Sequence, residues 1–277
     1  MILRDCLGRW AAALADSSAS PRLDAEILFK YASGWTEVQL LLRDRERLEP
    51  SLVERANALI EKRMRGTPIA YIVGEKAFYT LSLKITPAVL IPRPETELLG
   101  VKALAFIAAK PDARVLDLGT GSGAIALAIA GNAPETRVIA TDISAASLEL
   151  ARRNAGIHGL TNVRFLQSDW FGALGDQRFD LIVANPPYID ADDPHLQHGD
   201  LRFEPRQALV AGDRGLADIQ QIVKGASRHL LSGGLLALEH GFDQGSTIRE
   251  LLTRTGLEHV HTLRDLGQLE RVSCGSL

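Results

Sequence analysis

The stretch Val115-Leu116-Asp117-Leu118-Gly119-Thr120-Gly121-Ser122-Gly123 decides the fold. Its apolar start predicts a buried strand, which runs into a glycine-rich turn and then into a helix. Glycines let the backbone turn tightly and approach a ligand closely, and the amide groups at the helix start face that ligand. The stretch therefore predicts a cofactor pocket at the edge of an α/β sheet.

Strand and helix patterns alternate on either side of this stretch. Strands are predicted at Arg114–Leu118, Arg137–Thr141, Val163–Gln167, Phe179–Ala184, Gly234–His240, Leu257–Leu263 and Leu269–Cys274. Helices are predicted near Gly123–Gly131, Ala145–His158, Leu216–Leu231 and Ser246–Thr255, and a further one follows Glu97. This order is typical of a doubly wound sheet with helices on both faces, and a short strand ends it.

Two details favour S-adenosylmethionine over a nicotinamide dinucleotide in the predicted pocket. Asp142, about 20 residues beyond the turn, is placed to accept both hydroxyls of a ribose, which suits either cofactor. However, Gly121 and Gly123 are separated by one residue, whereas the dinucleotide pattern needs two. Asp117 precedes the first glycine, where a carboxylate attracts a cationic amino-acid group and repels a pyrophosphate.

Asp169 and Trp170 close the third strand of the predicted sheet. Asp169 can accept a hydrogen bond from the adenine amino group, and Trp170 can stack on the ring. The alternative is that Asp169 caps a turn and Trp170 belongs to the core.

The apolar strand Leu181–Ala184 stops at Asn185-Pro186-Pro187-Tyr188. Proline cannot continue a strand ladder and does not fit the interior of a helix, so the two prolines predict a rigid corner at the carboxyl edge of the sheet, where such folds bind ligands. The Asn185 side-chain oxygen and the Pro186 carbonyl can each accept one hydrogen of an –NH2 group. Tyr188 can lie against a planar amide. The motif predicts transfer of a group to an amide or amino nitrogen.

The N-terminal part of the sequence has a different pattern of apolar residues. Apolar spacing predicts four helices: Leu3–Leu14, about Arg22 to Ser33, Glu37–Leu42, and a fourth that ends at Gly66. The fourth helix is expected to begin at Ser51 as its N-cap, with Glu54 completing a capping box. The β-rich runs Ile69–Val73 and Phe78–Ile85 predict a hairpin, and prolines between residues 87 and 94 predict a stiff connector. We therefore expect a helical substrate-recognition domain at 1–67, a hairpin and linker at 68–94, and a catalytic domain at 95–277.

Composition narrows the function further. The chain has 277 residues, is 46% hydrophobic and carries a net charge of −3, which argues against an extended nucleic-acid-binding surface. Up to Ile85 there are 13 basic and 11 acidic residues. The basic cluster around Arg43–Arg47 and Arg55–Arg65 indicates either a solvated helix face or a contact surface for an acidic or nucleic-acid-bound partner. Cys6 and Cys274 fit neither a metal site nor a disulfide framework, and no signal peptide or membrane span is visible, so we expect a reducing, cytoplasmic setting.

Several motifs together resemble the HemK/PrmC family of class I S-adenosylmethionine-dependent methyltransferases, which methylate the side-chain amide nitrogen, N5, of a glutamine. They are Pro21–Leu28, Leu90–Glu97, Leu116–Gly123, Gln167–Phe171, Asn185–Ile189 and Asp200–Pro205. The resemblance implies a Rossmann-like sheet whose last strand is antiparallel, behind a small helical domain and a linking hairpin. It also implies that the substrate is the glutamine of the Gly-Gly-Gln loop of class-1 peptide-chain release factors.

The motifs and the resemblance together give the candidate site residues. Asp117, Gly119, Thr120, Gly121, Ser122, Gly123, Asp142, Asp169, Trp170 and Asn185 are expected to bind the cofactor. Asn185, Pro186, Pro187 and Tyr188 are expected to hold the glutamine. Arg93, Glu95, Arg202 and Glu204 are candidates for ordering the rim of the site, or else form structural ion pairs. A metal is not expected, and the protein is expected to be a monomer without stable nucleic-acid contacts.

Two related activities stay open at this point. An amino-group methyltransferase acting on DNA or RNA bases meets the same chemical problem with a similar motif. A glutamine methyltransferase of a large-subunit ribosomal protein shares nearly the same core motifs. A non-catalytic S-adenosylmethionine-binding module fits less well, because the Asn185–Tyr188 motif is intact.

Overall fold

The computed structural model describes all 277 residues, Met1–Leu277. The chain forms two compact units. The first, here the helical unit, comprises Met1–Glu75 and Pro194–Phe203, and the second, the sheet unit, comprises Lys76–Asp193 and Glu204–Leu277. No helix in either unit has the length and apolar character needed to cross a membrane.

The helical unit confirms the predicted bundle. Its helices are α1 (Leu3–Ala13), α2 (Pro21–Ser33), α3 (Glu37–Leu42), α4 (Pro50–Met64) and α5 (Ile69–Val73). Large apolar side chains from α1, α2 and α4 fill one core, including Leu3, Leu7, Trp10, Leu28, Phe29 and Ile60. The Trp10 ring stacks on Phe29 with ring centroids 5.9 Å apart, and its indole N–H donates to Asn57 Oδ1 at 2.7 Å.

Two local predictions for the helical unit are wrong. Ile69–Val73 forms helix α5 instead of a strand, because a short apolar run fits either conformation and here packs against α2 and α4. Ser51 is not the N-cap of α4. That helix starts at Pro50 after Glu49, since proline is well suited to the first helical turn. A capping box does occur one helix earlier, between Thr36 and Gln39.

A buried ion pair explains part of the Pro21–Leu28 motif. Asp24 Oδ2 accepts from Arg63 Nε at 2.8 Å, and both side chains are at most about one-tenth exposed. The Arg63 Nη1 group also contacts Asp200 Oδ1 at 3.1 Å and donates to the carbonyls of Gly66 and Thr67. Asp24 therefore ties α2 to the end of α4 and to the segment Pro194–Phe203.

The sheet unit contains a two-stranded and a seven-stranded sheet. A two-stranded hairpin is present as predicted, but its strands differ from the predicted ones and are β1 (Glu75–Phe78) and β2 (Leu81–Lys84). The larger sheet has the order β5-β4-β3-β6-β7-β9-β8. Its strands are β3 (Arg114–Leu118), β4 (Arg137–Asp142), β5 (Val163–Gln167), β6 (Phe179–Ala184), β7 (Leu230–Glu239), β8 (Glu258–Arg264) and β9 (Glu270–Ser276).

Seven helices accompany this sheet. They are α6 (Glu97–Ile107), α7 (Ala124–Asn132), α8 (Ala145–Ile157), α9 (Arg206–Leu209), α10 (Gly212–Gly215), α11 (Ala217–His229) and α12 (Gly245–Arg254), and 3₁₀ turns lie at Pro94–Thr96, Pro194–Gln197 and Leu201–Phe203. The element α10 is a distorted turn, because Asp213 and Arg214 have positive φ angles. Parallel pairing joins β5, β4, β3, β6 and β7, whereas β9 is antiparallel to both β7 and β8. The predicted doubly wound sheet with an antiparallel last strand is confirmed.

Side chains alternate between two cores on the faces of the sheet. Val115, Leu181, Val183 and Ala237 pack with α6 and α7 in one core. Leu116, Leu118, Ile182, Leu236 and Leu238 pack with α11 and α12 in the other. Burial on both faces fixes the register, because a slip of one residue would exchange the two sets of side chains.

We predict that Asp24→Ala destabilises the protein by about 3 kcal/mol, because it leaves the buried Arg63 guanidinium without its closest carboxylate. Urea unfolding measures this change. In the same helix, Arg22→Ala breaks only the more exposed pair with Glu26 and is expected to cost about 0.5 kcal/mol or less. Equal losses in the two variants would contradict a special role for the buried pair.

Candidate active site

A cavity of about 300 Å³ opens at the carboxyl edge of the seven-stranded sheet. The cavity is lined by nine of the predicted site residues: Gly119, Thr120, Gly121, Ser122, Asp142, Asp169, Trp170, Asn185 and Pro187. The other predicted residues, Asp117, Gly123, Pro186, Tyr188, Arg93, Glu95, Arg202 and Glu204, do not line it. The strand register explains the convergence, since Leu118 pairs with both Thr141 and Ala184, so that Gly119, Asp142 and Asn185 follow at one level.

The glycine-rich turn is held from the neighbouring strand. Thr120 N donates to the Thr141 carbonyl at 2.8 Å, and Gly121 N donates to Asp142 Oδ2 at 2.9 Å. The other Asp142 oxygen accepts from Ser144 N at 2.8 Å. Burial raises the pKa of Asp142 despite these bonds. Each carboxylate oxygen has two lone pairs, so Asp142 can also accept from a ligand hydroxyl.

Positive φ angles make glycine necessary in this turn. At Gly119, with φ +72°, an added Cβ would lie 3.5 Å from the Trp170 ring. At Gly123, with φ +88°, an added Cβ would lie 2.9 Å from Leu127 Cδ1 and 3.3 Å from Ala151 Cβ. Gly123 therefore serves the packing of α7 onto α8 rather than the surface of the cavity.

Asp117 lies fully buried beneath the turn. Its Oδ2 accepts from Thr120 Oγ1 at 2.7 Å and from Ala126 N at 3.2 Å, whereas Oδ1 has no hydrogen-bond partner. Burial raises the pKa of Asp117 to about 7, and these two hydrogen bonds oppose the shift. The carboxylate thus fixes the turn from below.

Trp170 occupies a strained position at the cavity wall. Its φ is +41°, which is rare for a residue with a side chain. The Ser168 hydroxyl donates to the Trp170 carbonyl at 2.8 Å and accepts from Ala173 N at 3.0 Å, which stabilises the turn. Asp218, on α11, lines the same cavity, and burial raises the pKa of its carboxyl group.

Asn185 is oriented by the residue that precedes α6. Its Nδ2 donates to Thr96 Oγ1 at 3.2 Å, and Thr96 is buried at the same cavity. Because the nitrogen of the amide is engaged by Thr96, the amide oxygen is the atom that remains to accept a hydrogen bond from a ligand.

Tyr188 anchors the proline corner from behind the cavity. Its hydroxyl donates to Glu239 Oε1 at 3.4 Å, and burial raises the pKa of Tyr188. The Tyr188 carbonyl accepts from Gln244 Nε2 at 3.0 Å. At Gly215, with φ +82°, an added Cβ would come within 2.1 Å of that carbonyl oxygen, so only glycine fits there.

The four rim candidates divide between the two units. Arg93 forms an ion pair with Glu204, whose side chain is fully buried and whose Oε2 accepts from Ile91 N at 3.1 Å. This arrangement supports the structural alternative for that pair. Arg202 lies in the helical unit, with its guanidinium 4.9 Å from the Phe203 ring centroid. Glu95 is exposed.

Sequence reasoning missed four residues that shape the site: Thr96, Asn154, Asp218 and Glu239. Asn154 is fully buried on α8, donates to the Ser122 carbonyl at 2.9 Å and bonds both backbone groups of Lys84. Glu239 offered a signal, because an acid that ends an apolar strand resembles Asp117 and Asp142. Asn154 and Asp218 lie within helices and carry no such signal.

We predict that Asp117→Asn flattens the dependence of stability on pH between about pH 4 and pH 7. The folded state holds the Asp117 proton up to about pH 7, whereas the unfolded chain loses it near pH 4. This contribution is present at low pH and is lost as the pH rises through 7. Urea unfolding at several pH values measures the slope, and Asp176→Asn, at an exposed position, serves as the control. An unchanged slope in Asp117→Asn would contradict the assignment.

Family models and relatives agree with this architecture. The model described as "PrmC N-terminal domain" matches residues 5–74, and that described as "Methyltransferase small domain" matches residues 99–200. Among solved structures, a methyltransferase from Pyrococcus furiosus is similar with a TM-score of 0.54 and 21% identity, covering 79% of this chain and 96% of that one. This likeness confirms the predicted methyltransferase fold.

Curated relatives extend over almost the whole chain. The "Release factor glutamine methyltransferase" of Salmonella typhimurium is 48% identical over 258 residues, which is 93% of each protein. The protein of the same name from Xylella fastidiosa is 48% identical over 254 residues, which is 92% of each. Because nearly half of the residues agree along almost the full length of both proteins, the chain belongs to the release factor glutamine methyltransferase family.

Proposed function

We propose that this protein transfers a methyl group from S-adenosylmethionine to the side-chain amide nitrogen, N5, of a glutamine in a class-1 peptide-chain release factor. The target is the glutamine of the Gly-Gly-Gln loop. Family membership supports the reaction, and one observation carries it: Asn185 lines the cavity with its amide nitrogen engaged by Thr96. Its oxygen is thereby left for a substrate –NH2 group.

The residues around the cavity suit S-adenosylmethionine, which supplies an electrophilic methyl group when bound. Asp142 retains lone pairs for ribose hydroxyls, and the indole of Trp170 offers a flat wall for an adenine ring. Asp169 can accept from an exocyclic amino group. The unpartnered Asp117 Oδ1 lies beneath the turn and favours a cation above it.

Two acceptors would hold the glutamine amide. An amide nitrogen is a poor nucleophile because its lone pair is delocalised into the carbonyl, so its orientation matters strongly. The Asn185 Oδ1 atom and the Pro186 carbonyl would each accept one hydrogen of the –NH2 group and fix its rotation. Holding reacting groups in a near-attack geometry can contribute roughly 7–11 kcal/mol.

The same two oxygens would stabilise the transition state. Positive charge builds on the amide nitrogen as the new bond forms, and fixed dipoles that point their negative ends at this charge need no reorganisation. The proline corner keeps those dipoles in place, and the Tyr188 contacts with Glu239 and Gln244 hold the corner. The surplus proton can leave after transfer, so a general base is not required for attack.

We predict that Asn185→Ala abolishes methyl transfer yet changes S-adenosylmethionine affinity only a few fold, because the variant loses an amide acceptor and keeps the glycine-rich turn. Mass spectrometry of release-factor peptides measures transfer, and calorimetry measures affinity. Asn132→Ala, at an exposed position at the end of α7, is the matched control. Unchanged turnover in Asn185→Ala would remove this residue from the mechanism.

The same assay separates the alternative activities. Methyl label on DNA or RNA, with none on the release factor, would identify a base methyltransferase. Label on a large-subunit ribosomal protein alone would identify the sister glutamine enzyme.

We further propose that the helical unit recognises the protein substrate. Helix α3 exposes three apolar side chains at helical spacing, since Val38, Leu41 and Leu42 are 63%, 71% and 79% exposed. Such a stripe on a six-residue helix stabilises nothing within the unit, and a contiguous exposed apolar surface favours contact with another protein.

We predict that Leu41→Ser with Leu42→Ser raises KM for the intact release factor at least about fivefold. KM for a short peptide that contains the Gly-Gly-Gln sequence should not change, because such a peptide lacks the rest of the release factor, which α3 is proposed to contact. Steady-state kinetics with both substrates measure the difference. Val101→Ser, at an exposed apolar position on α6, is the control. A parallel change with both substrates would contradict recognition by α3.

A further inference from the structure

Four side chains form a polar cluster that extends from the wall of the cavity, at Asn185 and Thr96, to Tyr188 and Glu239 behind it. Asn185 Nδ2 donates to Thr96 Oγ1 at 3.2 Å, and Tyr188 donates to Glu239 Oε1 at 3.4 Å. The Thr96 hydroxyl acts on the Glu239 carboxyl as well, because it lowers the pKa of that group. Thr96 and Glu239 are only 3% and 1% exposed. Glu239 does not line the cavity, so it has no direct path to a ligand.

We propose that Glu239, acting through Thr96, sets which end of the Asn185 amide faces the substrate nitrogen. Glu239 and Thr96 are thus positioning residues for the transfer. This inference rests on the proposed function, because it concerns the same amide-binding site.

The Thr96 hydroxyl group has a single proton to donate. An ionised carboxylate only accepts hydrogen bonds, so the Thr96 hydroxyl lowers the pKa of Glu239 by directing its proton toward that carboxylate. Thr96 Oγ1 then has only lone pairs to offer to Asn185, and these accept from Nδ2. In the reversed amide, Asn185 Oδ1 would meet the Thr96 oxygen lone pairs without a proton between them.

The orientation decides whether the site can bind an –NH2 group. With Nδ2 on Thr96, the Asn185 oxygen is available to accept a hydrogen from the substrate. In the reversed amide, the Asn185 –NH2 group would face the substrate –NH2 group, and two donors cannot bond each other. A fixed amide avoids spending part of the binding energy on selecting the right orientation.

The fold places Glu239 where it can exert this control. Ala184 pairs with Leu238 in the parallel ladder of β6 and β7, so Asn185 and Glu239 leave their strands at the same level. Thr96 precedes α6, which packs on both strands. The charged and titratable groups that act on Glu239 from neighbouring elements are Arg271, Glu95 and Tyr188.

Variants at Thr96 and Glu239 test the relay. Thr96→Val removes the hydroxyl at nearly constant volume, and Glu239→Gln removes the charge. We expect each to lower kcat at least about tenfold for the release factor, with the Kd of S-adenosylmethionine within about threefold and an unchanged melting temperature. Thr96→Ser keeps the hydroxyl and should retain most of the activity, which a purely space-filling role would not require.

The double variant separates a relay from two independent effects. If Glu239 acts through Thr96, Glu239→Gln with Thr96→Val should be no slower than the poorer single variant. Losses that multiply, full activity in Thr96→Val, or failure of Thr96→Ser to restore activity would each overturn the proposal.

A pH profile gives an independent readout. Burial raises the pKa of Glu239 to about 7, against the opposing effects of Thr96 and Arg271. Protonated Glu239 can donate to Thr96 and reverse the chain, so wild-type kcat should fall as the pH drops below about 7. Glu239→Gln should lose this fall while keeping its lower plateau. An unchanged acid limb in Glu239→Gln would contradict the relay.

One measurement distinguishes failure of the relay from failure of the proposed function. The side-chain –NH2 resonances of Asn185 in ¹⁵N-labelled protein report the hydrogen bond to Thr96 without any substrate. They should shift in Thr96→Val and Glu239→Gln but not in Thr96→Ser, whichever molecule proves to be methylated. Resonances that match the wild type in all three variants would overturn the proposal even if methyl transfer were confirmed.

Discussion

The parallel register of the central strands is the constraint on which the rest of the site depends. Leu118 pairs with Thr141 and Ala184, and Ala184 pairs with Leu238. The next residues, Gly119, Asp142, Asn185 and Glu239, therefore emerge side by side although more than a hundred positions separate the first from the last. Apolar burial on both faces holds this register, so the geometry of a polar site is set by two hydrophobic cores.

Two buried acids at this edge have similar surroundings. Asp117 and Glu239 each lie at or near the end of an apolar strand, a threonine hydroxyl lowers the pKa of each, and each keeps one oxygen without a partner. Burial raises the pKa of both to about 7. Such groups cost folding free energy rather than supplying it. Their benefit is orientation, because Asp117 fixes the glycine-rich turn and Glu239 lies behind the amide-binding corner.

The sequence predicted local features well and long-range ones poorly. The strands β3, β5 and β6 begin and end as predicted, because each carries apolar β-forming residues and is followed by turn residues. Ile69–Val73 was misread, since five apolar residues suit a short helix as well as a strand. The sequence predicted the glycine-rich turn Gly119–Gly123, the Asp142 position that follows it at a fixed spacing, and the proline corner at Asn185, because each belongs to a short recognisable pattern. Thr96, Asn154 and Asp218 act on residues distant in sequence, and periodicity carries no information about such partners.

The family motifs contain two kinds of residue, those that stabilise the fold and those that line the cavity. The hydrogen bonds and ion pairs of each residue show to which kind it belongs. Asp24 in the Pro21–Leu28 motif pairs with buried Arg63, and Glu204 in the Asp200–Pro205 motif pairs with Arg93. Both acids are satisfied by their cationic partners, so neither is poised to act on a ligand. Asn185 differs, because one end of its amide is bound within the protein and the other remains available at the cavity. A polar group that the fold only half satisfies is therefore a better indicator of chemistry than membership in a motif.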